Sequence, residues 1–160
     1  MSKIELEYEP RIPQADIHQA VHKNRFVVVV AHRRMGKTVC AINQLIHSAI
    51  NCNLKNPRYA LISPTYSQSK RVAWDMLTEY TRPLQAENNI AELRSDFMGR
   101  RISLYGADNI DALRGIYLDG VVIDEYAQIN PSLFSEIIRP AIADRKGWVM
   151  FIGTPKGRNH

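Results

Sequence analysis

Three short stretches hold the residue types that could do chemistry. The first is Ala31-His32-Arg33-Arg34-Met35-Gly36-Lys37-Thr38, which directly follows the apolar run Phe26-Val27-Val28-Val29-Val30. A buried strand, a tight loop and Gly-Lys-Thr at a helix start together build a phosphate cradle. Backbone N–H groups and the helix N-terminus face the anion, Lys37 reaches the β/γ-phosphates, and the Thr38 hydroxyl ligates Mg2+. The pattern has Gly at its first position, where this chain has Ala31. The second stretch is Gly120-Val121-Val122-Ile123-Asp124-Glu125. A strand ending in Asp-Glu puts two carboxylates at the carboxyl edge of the sheet, where open α/β sheets bind ligands. Asp124 is expected to hold Mg2+ through water, and Glu125 to orient and deprotonate the attacking water. The third is Gly153-Thr154-Pro155 after Trp148–Ile152. A hydroxyl at the end of a strand beside the phosphate loop could sense the γ-phosphate; a plain Gly-Thr-Pro turn fits the spacing as well. Inside the loop, the Arg33 guanidinium could stabilise charge developing on the transferred phosphoryl group, while Arg34 is expected in solvent.

These residues need a frame that brings the ends of separate strands together. Apolar runs at Phe26–Val30, Tyr59–Ser63, Ile102–Tyr105, Val121–Ile123 and Trp148–Ile152 recur at intervals suited to α/β construction. Continuous β-branched runs suit strands buried on both faces of a mostly parallel sheet. Between them, Val39, Ile42, Ile46 and Ala49 form one helical stripe, and Ser67–Tyr80 reads as a second helix with Val72, Met76 and Tyr80 on one side. A third segment opens at Pro131-Ser132, turns Leu133, Phe134, Ile137 and Ile138 inward, and is bent or ended by Pro140. The pattern predicts a doubly wound α/β sheet in a single domain, residues 1–160.

Composition sets the outer bounds. The chain has 160 residues, 45% of them apolar, which is enough for one real core. Its longest apolar run is one strand long, so no membrane span is expected, and the charged start Met1–Glu7 is unlike a secretory signal. The net charge of +5 is compatible with phosphate or nucleic-acid partners and is also ordinary for a globular domain. Cys40 and Cys52 match no metal or redox spacing, and Cys40 is expected to pack in the helix after the loop. His18 and His22 stand at i and i+4, as in zinc proteases, but Gln19 replaces the general-base Glu; no zinc is expected there.

Taken in order, the motifs resemble the ATPase domain of the large terminase subunit, the DNA-packaging motor of tailed phages. In that family's variant loop an Arg sits four residues before the Lys, as Arg33 does here. Gln14 matches its adenine-contacting glutamine. Ser63-Pro64-Thr65-Tyr66-Ser67-Gln68, Leu113-Arg114-Gly115 and Gly153-Thr154-Pro155-Lys156-Gly157 are similar to its later motifs. The resemblance implies a P-loop NTPase of the additional-strand, catalytic-glutamate type, a mostly parallel sheet flanked by helices. It also implies ATP and Mg2+ as cofactors. The nucleotide would lie on Gln14 and on Ala31, His32, Arg33, Arg34, Met35, Gly36, Lys37 and Thr38; the metal would lie on Thr38 and Asp124. Glu125, Arg33, Lys37 and Thr154 would be catalytic, and Arg114 either reaches the neighbouring subunit's ATP or pairs locally with Asp108 or Asp111. The implied partners are double-stranded DNA, the portal protein, the small terminase subunit and further copies in a ring, with no membrane, in the cytoplasm of an infected or lysogenic bacterium. Members of the family continue into a lid and a nuclease domain, so this chain reads as truncated at its C-terminus, without either.

Two other readings fit parts of the pattern. A superfamily 2-like helicase shares the glutamine, the loop and Asp-Glu, but usually follows it with Ala-Asp or Ala-His and uses Ser-Ala-Thr later; here Tyr126-Ala127-Gln128 and Gly153-Thr154-Pro155 stand instead. A prophage remnant that binds nucleotide without turning it over is the other.

Overall fold

The computed structural model describes residues 6–155, with the side chain of Arg33 outside the description. Seven strands form one sheet: β1 (Phe26–Val30), β2 (Arg58–Ser63), β3 (Glu87–Asn89), β4 (Arg94–Phe97), β5 (Arg100–Gly106), β6 (Gly120–Asp124) and β7 (Trp148–Gly153). Their order across the sheet is β1-β7-β6-β2-β5-β4-β3. The first five in that order run parallel, and β4 and β3 extend the sheet antiparallel. All five strands expected from the apolar runs are present. The β3–β4 extension is not legible in the sequence, because its strands are short and polar. The β4–β5 hairpin is turned by Met98-Gly99, both at positive φ, a two-residue turn whose twist matches the strands it joins.

Side chains of the central strands alternate between two cores, but the edge strand β1 departs from the expectation of burial on both faces: Phe26, Val28 and Val30 are exposed and only Val29 is fully buried. On one face α1 (Ile12–Lys23), α2 (Lys37–Asn51) and α3 (Tyr66–Thr81) pack over Leu61, Ile102, Leu104, Val122 and Met150. On the other, Ala60, Ile62, Val121, Ile123 and Val149 meet Leu133, Ile137, Ile138 and Ile142. The α2 stripe Ile42, Ile46 and Ala49 is fully buried, and so is Cys40. In α3 the fully buried stripe is Ala73, Trp74, Leu77 and Thr81; of the expected side, Met76 and Tyr80 pack partly against the same core, while Val72 is exposed and, with Met76, lines the cleft described below. Thr65 caps α3 by accepting from the Gln68 N–H.

Pro140 does not end the third helical segment. The chain makes a π turn over Phe134–Ile138, where Arg139 N–H bonds the Phe134 carbonyl, and continues as α4 (Arg139–Ala143). The wider turn accommodates a ring that an α-helix interior would exclude. At the amino ends of the strands, buried Asp119 accepts from Arg145 Nε at 2.7 Å, Arg145 Nη2 at 3.0 Å and the Arg58 N–H at 2.9 Å. This tie holds β2, β6 and the turn before β7 together.

The register positions the chemistry. Val30 pairs with Gly153 across β1 and β7, and Asp124 with Ile152 across β6 and β7. The residues that follow, Ala31, Thr154 and Glu125, therefore emerge side by side at the carboxyl edge.

Candidate active site

Ala31 N–H donates to Gly153 O at 3.1 Å, fixing the loop's exit from β1. Residues Arg33–Met35 form one 3-10 turn, closed by Met35 N–H on His32 O at 3.1 Å. Gly36 then takes φ +75, a left-handed conformation that favours glycine, and α2 begins at Lys37. The turn leaves His32 and Arg34 exposed and Met35 half-buried. Arg33 keeps its place in the turn by its backbone, but its side-chain role lies outside the described residues, as do Lys156 and Gly157.

Lys37, Thr154 and Glu125 form a closed hydrogen-bonded ring. Lys37 Nζ donates to Glu125 Oε1 at 2.8 Å and also to Thr154 Oγ1, and Thr154 Oγ1 donates to the same Glu125 oxygen at 2.8 Å. The ion pair is well enclosed, with 8% of the Lys37 and 17% of the Glu125 side chain exposed. Glu125 itself sits at φ +51, a left-handed non-glycine position at the end of β6. Such strain costs on the order of 1–2 kcal/mol and clusters at functional sites.

Asp124 is 7% exposed, and its Oδ1 is buried with no hydrogen-bond partner among the described residues. Burial pushes its carboxyl above the usual range; Lys37 pulls the other way, the charge of Glu125 adds to the rise, and the Glu125 backbone N–H opposes it. A buried acceptor left without a donor is a poor structural element and a good cation ligand. Asp124 lines a cleft of about 370 Å³ together with Gly36, Lys37, Thr38, Val39, Gln68, Val72, Met76, Glu125 and Gln128. Thr38 and Asp124, the two expected metal ligands, thus face one space.

Gln14 is 4% exposed and lies against the loop. Its Nε2 donates to Gly36 O at 3.0 Å and Met35 O at 3.4 Å, and its Oε1 accepts the Arg11 N–H at 2.9 Å. Arg114 stands apart from this cluster. It is exposed, and its Nε is 3.6 Å from Asp111 Oδ1.

Sequence reasoning misses three contributors to the site. Gln128 and the Val72–Met76 side of α3 line the cleft, and Arg11 donates to the carbonyls of Arg34 (3.3 Å) and Met35. None of the three carries a signal in the sequence; Arg11 acts on backbone carbonyls, which specify no residue type. The pair His18 and His22 has another use. His18 bonds Tyr8 at 2.8 Å and Gln44 at 2.7 Å, and the His22 ring packs edge-on against His47.

A phosphate loop on one strand, an acidic pair on another and a third strand between them define a P-loop NTPase of the additional-strand class. No protein-family profile matches the chain. The "Terminase, large subunit" of Thermus phage G20c is 30% identical over an alignment of 180 positions, which takes in 96% of this chain and 35% of that protein. The chain thus spans about a third of the length of the curated relatives it matches. The solved large terminase ATPase domain of Thermus phage P74-26 superposes with a TM-score of 0.80 at 27% identity, over 96% of this chain and 68% of that one. The large terminase of another thermophilic bacteriophage, solved in complex with ADP, shares the fold at a TM-score of 0.72 and 16% identity, over 91% of this chain and 39% of that one. By sequence and by fold, the chain is a relative of the terminase large subunit, over that protein's ATPase domain.

Proposed function

We propose that this chain is an ATP-hydrolysing motor domain of the terminase type, which drives double-stranded DNA into a procapsid in the company of a portal, a small subunit and further copies of itself. The observation that carries the reading is the Lys37–Thr154–Glu125 ring set beside the buried Asp124, whose Oδ1 has no hydrogen-bond partner among the described residues. The ADP complex of the thermophilic-phage terminase supports nucleotide as the ligand of this fold.

Each residue then has a task. The loop N–H groups and Lys37 hold the β/γ-phosphates. Thr38 and Asp124 would hold Mg2+, which when bound neutralises charge between the phosphates. Glu125, released from Lys37 as the amine turns to phosphate, orients the attacking water and accepts its proton. Thr154, hydrogen-bonded to both, registers whether Lys37 is engaged with phosphate or carboxylate. Arg33 supplies positive charge to the transition state, and the second acceptor direction of Gln14 Oε1 suits the adenine amine. Arg114, on the surface and loosely paired, serves a neighbouring subunit's nucleotide.

The test is ATP binding with Mg2+ followed by phosphate release, with and without double-stranded DNA. Binding lost in Lys37→Ala and turnover stimulated by DNA are expected. A chain that binds no nucleotide, or turns it over equally well without Lys37, would end the reading. In an assembled ring, Arg114→Ala is expected to bind ATP and lose turnover; normal turnover there removes its role in trans.

A further inference from the structure

We infer that Arg11, together with Gln14, is a positioning residue that holds the phosphate loop from behind and aims its anion-binding N–H groups; the inference rests on the nucleotide reading above and deepens it. Three successive loop carbonyls are tied to two side chains at the start of α1. Arg11 Nη2 donates to Arg34 O at 3.3 Å and to Met35 O. Gln14 Nε2 donates to Met35 O at 3.4 Å and Gly36 O at 3.0 Å. Arg11 and Gln14 are themselves joined, since the Arg11 N–H donates to Gln14 Oε1.

The consequence follows from peptide geometry. In a trans peptide the C=O and the next residue's N–H point in opposite directions. Holding the Met35 and Gly36 carbonyls against α1 therefore turns the Gly36 and Lys37 N–H groups to the opposite side, where the phosphates would lie. A Cβ on Gly36 would stand 2.7 Å from Arg11 Nη2 and 2.8 Å from Gln14 Nε2, so the glycine is needed for the approach of the clamp as well as for its φ of +75. Arg11 suits the task because one guanidinium nitrogen, Nη2, carries two N–H groups held in the plane of the group and so serves two successive carbonyls in a fixed direction, which a freely rotating lysine ammonium on a flexible stem does less well.

A base contact and a loop clamp differ in what they discriminate. Arg11→Ala and Arg11→Lys are compared with the unaltered chain by displacement of a fluorescent ATP analogue with ATP, GTP and inorganic tripolyphosphate, all with Mg2+. The clamp predicts that Arg11→Ala weakens all three by a common factor of about ten, the size of one net charge-assisted hydrogen bond. Arg11→Lys recovers part of that loss. Hydrogen exchange of the His32–Gly36 amides, measured without ligand, is expected to quicken in Arg11→Ala while the rest of the fold keeps its protection. A loss confined to ATP, with tripolyphosphate unaffected, would make Arg11 a base contact and overturn the clamp. So would unchanged displacement and unchanged exchange. Failure of the unaltered chain to bind any of the three ligands refutes the nucleotide reading, and the exchange experiment then decides the clamp by itself.

Discussion

Replacing Glu125 with Gln separates two roles that the structure gives one carboxylate. Gln is isosteric, keeps an oxygen for the Thr154 hydroxyl, and adopts φ +51 as readily as Glu, so the fold is expected to persist. Removing the charge has opposite effects on chemistry and on binding. A positioned general base contributes roughly 10²–10⁴-fold, so turnover is expected to fall by about that factor, equivalent to about 3–5 kcal/mol of barrier. Binding moves the other way. Lys37 Nζ leaves a carboxylate oxygen 2.8 Å away in order to reach phosphate. A hydrogen bond to a charged group is worth about 1.5–3 kcal/mol net. Because Glu125 keeps some contact with solvent, the low end applies, and ATP is expected to bind Glu125→Gln about tenfold more tightly. The assay pairs equilibrium titration of a fluorescent ATP analogue with single-turnover phosphate release, both with Mg2+ and double-stranded DNA. Near-normal turnover would remove Glu125 from the water-activating role. Tenfold weaker binding would refute the competition between phosphate and carboxylate for Lys37.

Two further outcomes test the frame around the site. Asp119→Ala leaves Arg145 and the Arg58 N–H without their acceptor; with Asp119 3% and Arg145 23% exposed, a loss of about 2–3 kcal/mol is expected, seen as a fall in Tm of about 4–12 °C. No change in Tm would make the pair decorative. Burial lowers the pKa of His18 against the opposing effect of its hydrogen bond with Gln44, and burial with His22 and His18 nearby lowers that of His47. Their neutral forms are favoured in the folded chain, so the stability they contribute is present above the unfolded value of 6.5 and is lost as pH falls below it. Each group adds a slope of at most about 1.4 kcal/mol per pH unit. Thermal melts from about pH 7.5 to 5 are expected to show this loss, reduced in His18→Gln; an acid slope identical in that variant would assign it elsewhere.

What the sequence reveals and what it conceals have physical causes. Val121–Ile123 announces itself because a strand covered on both faces needs apolar residues without interruption, whereas the equally apolar Val27–Val30 lies at the sheet edge with Val28 and Val30 exposed. Gly36-Lys37-Thr38 is legible because a left-handed residue at a helix start favours glycine, and the proposed phosphate contact asks for a cation directly after it. Asp124 and Glu125 are legible as a pair, but their opposite surroundings are not. Glu125 is tied to Lys37 and Thr154 while one oxygen of Asp124 is buried without a partner among the described residues, a difference that comes from the three-dimensional placement of Lys37 and Thr154 and that the residue types do not encode. The α3 stripe is half legible: Met76 and Tyr80 pack partly against the core as their spacing suggests, while Val72 stays exposed at the cleft. Arg11 stays hidden because its contacts are to backbone carbonyls, which leave no complementary residue type in the sequence.

Among the described residues β1 is joined to the sheet through β7 alone, while β7 is held on both sides by β1 and β6. In mechanical terms, the phosphate loop hangs from a strand anchored along one seam. The loop's other ties include the Arg11 and Gln14 contacts to its carbonyls, and the strand that shares the seam leads through Gly153 into Thr154. A shift of the loop therefore has two routes across the sheet edge, through the β1–β7 seam to the Thr154 hydroxyl and through the Lys37 amine to Glu125.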